Sequence, residues 1–226
     1  PWVRSVACEI GKIVAAHGRR LAGETQSVYL TPEHHAVLYA LFVRNSKEMA
    51  GAAGGDAIHQ ATLLYADQRG SRMAKRALAH GDPLDCFNYM AYSEWSPEPG
   101  TMQAEDVCFQ PEVITHAYVC PWLTTWQRMG FLEEGKEYCS CIDYNLVKGY
   151  NKDLTLNVTS TRTEGGDCCE FIWQDFGMDD AAREALAAKK QMLGNSCKKG
   201  WIFHTRHLLS AMNDKLQVLD NAQAII

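Results

Sequence analysis

The chain has 226 residues, 46% of them hydrophobic and 22% charged, the balance of a globular rather than a disordered protein. A formal net charge of −5 leaves no basic excess for phosphate contacts, which argues against nucleic-acid binding as the main task. No apolar run reaches the roughly 18 residues a membrane span requires, and no signal peptide is visible, so the reading is a chain away from membranes.

In chain order, Val3, Val6, Ile10, Ile13, Val14, His17 and Leu21 recur at helical spacing and predict a helix over 2–22. Thr31 and Pro32 predict the cap and first turn of a second helix running through Leu38, Leu41 and Phe42 toward Met49. Gly51-Ala-Ala-Gly-Gly55 is expected to break it. A third helix follows over about 56–79, with Arg69, Arg72, Lys75 and Arg76 in its second half, and Gly81-Asp-Pro83 ends it. Residues 86–95 alternate as a strand does, Pro97-Glu-Pro-Gly100 reads as a turn, and 106–120 predicts one more strand with Pro111 at a bulge or edge. Pro121 opens a helix to Gly130, and one continuous helix is expected over 133–147. Residues 154–162 and 168–173 predict a hairpin across Thr163-Glu-Gly-Gly-Asp167. Asp179 caps an alanine-rich helix, and Leu208, Met212, Leu216 and Leu219 mark a last one. This succession is an α+β pattern. One domain over 1–226 is the economical organisation: helical to residue 80, sheet-containing over 84–175, helical again from 179.

The chain carries nine cysteines, without the paired C-x-x-C spacing of a zinc site. A chain of this size builds a core without bridges, so the reading is reduced thiols in a cytoplasmic protein, with the Asn157-Val-Thr159 sequon unused. Two segments concentrate the chemistry, Cys139-Ser-Cys-Ile-Asp143 and Gly165-Gly-Asp-Cys-Cys-Glu-Phe171. On one continuous helix Cys139, Ile142, Asp143 and Leu146 would share a stripe. On strands, Ile114, His116, Tyr118 and Cys120 would share one face, and Cys169, Phe171 and Trp173 another. Should these elements meet, thiols, an imidazole and a carboxylate would line one pocket. A histidine can take a thiol's proton, and a carboxylate can orient the histidine or exchange protons itself.

Blander readings stand beside this one. A cysteine on an apolar face is usually a small core residue, and Cys8, Cys86, Cys108 and Cys197 are read as structural. Trp122 and Trp126 at helical spacing usually mark a core. The Arg69–Arg76 cluster is usually a solvated face, but it could hold a substrate carboxylate. His204 and His207 lack the Glu-x-x-His companion of a di-metal site, and neither a glycine-rich phosphate loop nor a G-x-S-x-G elbow occurs.

Cys120-Pro-Trp122, Tyr138-Cys-Ser-Cys-Ile-Asp143, Gly149-Tyr-Asn151 with Leu154 and Leu156, and Gly166-Asp-Cys-Cys-Glu-Phe171 together resemble the L-2-amino-thiazoline-4-carboxylic acid hydrolase family. Arg69-Gly-Ser-Arg-Met-Ala-Lys-Arg76 and Tyr92-Ser-Glu-Trp95 are also similar to that family, and the resemblance covers about 60–175. It implies hydrolytic opening of a small cyclic carbon–nitrogen bond, in a thiazoline, cyclic amide, amidine or urea, with a carbamoyl-cysteine as product in the type case. It places the family's cysteines on Cys120, Cys139 and Cys169 and its aspartate on Asp143. The closing Gly-Asp-x-Cys-x-Phe also resembles 4-vinyl-reductase-type ligand-binding domains, which implies leading helices and then a twisted antiparallel sheet with helices packed on it.

The expected enzyme therefore uses Cys139, Asp143 and His116 for catalysis, with Cys120, Cys169, Asn151, Glu94, Trp122 and Arg72 about the substrate and no cofactor. A variant has Cys139, Cys169 and His116 or Asp143 holding zinc. The alternative from another class is a non-catalytic sensor binding a small or haem-like molecule. Apolar stripes on the first and last helices are expected to bury in the core, or in a homodimer or higher homo-oligomer, rather than in a complex with another partner.

Overall fold

The computed structural model describes residues 29–223; the expected helix over 2–22, and Cys8 in it, lie outside the described residues. Thr31 takes an extended backbone and donates its N–H to His34 Nδ1 at 3.2 Å. Pro32 follows where a missing N–H costs nothing, and helix α1 runs Pro32–Ala79. The expected break over 51–55 is a kink at one residue. Gly51, at φ 57 and ψ −133, takes a conformation closed to most L side chains, and the helix resumes directly after it. Ala36, Tyr39, Ala40 and Val43 before the kink, and Ala57, Ile58, Ala61 and Tyr65 after it, are buried at three- and four-residue spacing.

Cys86–Ala91 forms helix α2, not the strand that alternation over 86–95 predicts. Asp85 decides the matter: its carboxylate accepts from the Asn88 N–H at 2.8 Å and from Asn88 Nδ2 at 3.0 Å, an N-cap that favours a helical turn. The single strand expected over 106–120 is two, β1 (Gln103–Cys108) and β2 (Val113–Val119), joined through a cis Gln110–Pro111 bond. Pro111 thus stands outside both strands, where its missing N–H leaves no gap in the ladder. The hairpin expected downstream is present as β3 (Leu156–Ser160) and β4 (Cys169–Trp173), with a 3-10 turn at Arg162–Glu164. The four strands make one antiparallel sheet in the order β1-β2-β4-β3, so the fold is α+β. Val113 lies opposite Trp173 and Ala117 opposite Cys169 on the buried side of this sheet. His116 lies opposite Glu170 and turns the other way.

Helix α3 (Pro121–Met129) matches its expectation, with Cys120 as N-cap and Gly130 closing it at φ 70. The one helix expected over 133–147 is two, α4 (Leu132–Cys139) and α5 (Ile142–Tyr150). Side chains at the junction compete for the backbone groups a continuous helix would use. Ser140 donates its hydroxyl to Glu137 O at 3.0 Å, and Asn145 Nδ2 donates to Cys141 O at 2.7 Å. Helix α5 crosses α1 with the backbones touching. A Cβ built on Gly70 would come within 2.6 Å of the Gly149 carbonyl carbon, and closer still to Leu146 O and Tyr150 N. A Cβ on Gly149 would lie 2.6 Å from the Asp67 Cα.

Asp179 caps helix α6 (Asp180–Leu193), receiving the Ala182 N–H at 2.8 Å. Helix α7 (Trp201–Gln223) packs along α1 and buries Leu208, Met212 and Leu216; the Leu219 side chain lies outside those described. Among the described residues no helix is long and apolar enough to cross a membrane.

Candidate active site

Four elements end at one place. Cys139 is the last residue of α4, Asp143 the second of α5, Cys120 the N-cap of α3, and Cys169 the first residue of β4. The Cys139 thiol feels the charges of Asp143, Cys120 and Cys169, and Asp143 acts on all three thiols. Each of the four keeps some exposed surface, yet protein closes around Cys139 and Asp143 on nearly every side. These four side chains form a partly open cluster, the recess, where the elements meet. Cys139 and Asp143 meet across the turn between two helices rather than along the stripe of one.

Burial, and then the Asp143 charge, push the Cys139 thiol well above its ordinary range, while the Thr163 hydroxyl opposes them. Burial raises Cys120 to about 11, although the Leu123 and Trp122 N–H groups at the start of α3 favour its thiolate. Burial also raises Cys169, whose sulfur accepts the Arg162 N–H at 3.3 Å. The Asp143 carboxyl is lifted by burial to about 6, with Arg69 pulling the other way. At neutral pH the recess therefore holds neutral thiols beside one carboxylate that takes a proton readily. A thiolate next to that carboxylate would be a pair of like charges, so one proton serves both groups.

Other expected residues stand elsewhere. His116 is on the opposite face of the sheet from Cys169, its Nε2 2.8 Å from Glu170 Oε2 and its Nδ1 3.3 Å from the Tyr118 hydroxyl. Strand alternation carries it away from the thiols, because Ala117, not His116, pairs with Cys169. Cys120 escapes that alternation by lying beyond the strand end. Glu94 is wholly buried and chelated by arginines: Arg72 donates from Nε and Nη2 at 3.1 and 3.0 Å, and Arg76 Nη2 lies at 3.0 Å. Arg72 also faces His207, at 3.2 Å. Glu94 is closed off, and Arg72, about a quarter of whose side chain is exposed at 26%, has its donors turned to Glu94 and His207. Asn151 caps the end of α5, donating to Leu84 O at 2.7 Å and accepting the Asp153 N–H at 3.0 Å. Trp122 belongs to an aromatic core, where it donates to His35 Nδ1 at 3.2 Å and packs on Trp95, Trp201 and Tyr138.

Arg69 was legible only as one of a basic cluster. It is buried, with its guanidinium 5.4 Å over the Tyr65 ring, and it acts on Asp143. The 69, 72, 76 spacing puts three arginines on one helical face and leaves Lys75 out, a signal that could have separated them. Thr163 carried no signal, since its place depends on the turn after β3. The tyrosines 89 and 138 complete the surroundings of Asp143.

The eight described cysteines are all unbridged. Among the described residues no three His, Cys, Asp or Glu side chains are placed to hold a metal ion, and the zinc variant that uses His116 meets the sheet between its ligands. Residues 32–173 match the family described as L-2-amino-thiazoline-4-carboxylic acid hydrolase. Comparison with curated proteins finds no match, and neither does comparison with solved structures. The matched stretch runs from the first residue of α1 to the last of β4 and so includes Arg69 and all four groups of the recess. This chain belongs to the L-2-amino-thiazoline-4-carboxylic acid hydrolase family.

Proposed function

We propose that this protein hydrolyses a small ring at a carbon bonded to nitrogen, with Cys139 and Asp143 as its chemical pair. The substrate class is a thiazoline, cyclic amide, amidine or urea. The observation that carries the reading is that Cys139 and Asp143 meet where α4 ends and α5 begins, where burial lifts the carboxyl to about 6 and keeps the thiol neutral. Such a pair moves one proton back and forth without changing its net charge.

In the first half of the reaction the Cys139 sulfur attacks the ring carbon while its proton passes to Asp143. The tetrahedral adduct collapses, one ring bond at that carbon breaks, and Asp143 returns the proton to the ring atom that leaves. In the second half water attacks the carbon now held on sulfur and gives a proton to Asp143. The carbon–sulfur bond then breaks, and Asp143 hands the proton to the departing Cys139 sulfur. The sum is ring plus one water to open product, with both groups restored. Cys120 and Cys169 line the recess, and the Thr163 hydroxyl steadies the sulfur whenever it carries charge.

The test is incubation of the pure protein with 2-amino-thiazoline-4-carboxylate and a panel of cyclic amides and ureas, read by mass spectrometry as gain of one water. Cys139→Ala and Asp143→Asn are each expected to lower kcat by at least about 100-fold. Full turnover by either variant refutes the assignment of that residue.

A further inference from the structure

The basic face of α1 holds more charge than its partners absorb. Glu94 has two oxygens, and Arg72 and Arg76 occupy both at 3.0–3.1 Å. Arg69 reaches the same carboxylate only at 3.8 Å, beyond hydrogen-bond distance, and its Nε is buried without a partner. It is 6% exposed. His204 and His207, which face this group from α7, are held neutral by burial. Three guanidinium charges therefore meet two carboxylates, Glu94 and Asp143, and one positive charge is left over. Burying a guanidinium with an open N–H is costly unless an anion completes it.

The helix crossing says where that anion would stand. Gly70 touches the backbone of α5 at Leu146, Gly149 and Tyr150, so its neighbour Arg69 lies against the helix that carries Asp143 one turn earlier. The surplus charge thus adjoins the recess, where Arg69 also acts on Asp143, while Arg72 and Arg76 spend their donors on Glu94 and the Cys197 carbonyl.

We propose that Arg69 receives a carboxylate carried by the ring substrate and makes the recess selective for anionic rings. The proposal rests on the hydrolase reading above. It places the carboxylate-holding role, which the sequence allowed to the whole Arg69–Arg76 cluster, on the arginine of that cluster with a buried, unpartnered N–H. A planar guanidinium offers a carboxylate two parallel N–H donors, which a lysine cannot reproduce.

The experiment compares hydrolysis of 2-amino-thiazoline-4-carboxylate with that of 2-amino-thiazoline, the same ring without its carboxylate. The chain as it stands, Arg69→Lys, Arg69→Met and Lys75→Met are assayed; Lys75 is exposed on the same helix. The unsubstituted protein is expected to prefer the carboxylated ring by roughly 100-fold in kcat/KM. Arg69→Met should collapse that preference toward unity, chiefly through KM, and Lys75→Met should keep it. A parent protein without the preference, or an Arg69→Met variant that retains it, overturns the proposal. If Arg69→Met does not fold, Arg69→Lys decides, because an undiminished preference there overturns the proposal equally. If the parent hydrolyses neither ring, the thiazoline form of the hydrolase reading falls, and calorimetric binding of the carboxylated ring still tests Arg69. Binding about tenfold weaker to Arg69→Lys supports it; equal binding, or none to the parent, overturns it.

Discussion

Gly55→Ala and Gly70→Ala are the same change in the same helix, and they are expected to move stability in opposite directions. At Gly55 the new methyl would meet only the Lys47 side chain, with its Cε at 3.2 Å, and that long chain can swing aside. Alanine is a better helix former than glycine by about 1 kcal/mol, so Gly55→Ala should gain up to that amount. At Gly70 the methyl would come within 2.6 Å of the Gly149 carbonyl carbon, and the other atoms it meets are also backbone. Carbon atoms rest at about 3.5–4 Å, so α1 and α5 must part by roughly 1 Å. Overpacking costs about 1–3 kcal/mol, and a clash with backbone, which cannot swing aside, belongs in the upper part, about 2–3 kcal/mol, more than the helix propensity returns. The net loss should be about 1–2 kcal/mol, or roughly 2–8 °C in Tm for a chain of this length. Urea unfolding followed by far-UV circular dichroism measures both variants. The crossing also spaces Arg69 from Asp143, so Gly70→Ala should lose turnover even where it is fully folded. A Gly70→Ala protein as stable as its parent would refute the close crossing, as would a Gly55→Ala protein that is the less stable of the two.

Asp143→Asn should stabilise the protein while disabling it. Burial raises the folded carboxyl to about 6 from 3.8, so the folded chain holds that proton more tightly than the unfolded one, and ionising Asp143 between pH 4 and 6 removes stability. The variant should therefore gain about 3 kcal/mol at pH 7.5 and nothing below about pH 4; equal stability at pH 7.5 argues against a desolvated carboxylate. His116→Ala should keep turnover within about twofold, because the sheet separates it from Cys169; a loss of 100-fold would return the histidine to the reaction.

The elements legible in advance were those with strong local chemistry. Pro121 and Gly130 bracket α3 and Asp179 caps α6 as the sequence implies, because caps and turn glycines act over three or four residues. Three misreadings share one cause. Asp85 capping α2, the turn around Pro111, and the Ser140–Cys141 corner each depend on a few hydrogen bonds that hydrophobic periodicity does not register. For the site, motif order marked the thiols and Asp143 independently of secondary structure, and the fold brings these residues together. His116 did not, since its face follows from strand register, and register depends on which residue of β4 lies opposite. Glu94 looked like a free carboxylate only because the arginines that fill it lie a turn or more apart on a distant helix.

The corner between α4 and α5 has a further consequence. It leaves Cys139 at the C-terminal end of one helix and Asp143 in the first turn of the next. Helix dipoles place negative potential at the first of these ends and positive potential at the second, each worth about 0.3–1 kcal/mol. Both fields keep the shared proton on sulfur and the charge on oxygen while the recess is empty. A thiol held in that form reacts slowly with peroxide and with alkylating agents. The bend that interrupts the helix thus gives the resting protein chemical durability, and in the proposed reaction the sulfur becomes a nucleophile only as its proton passes to Asp143.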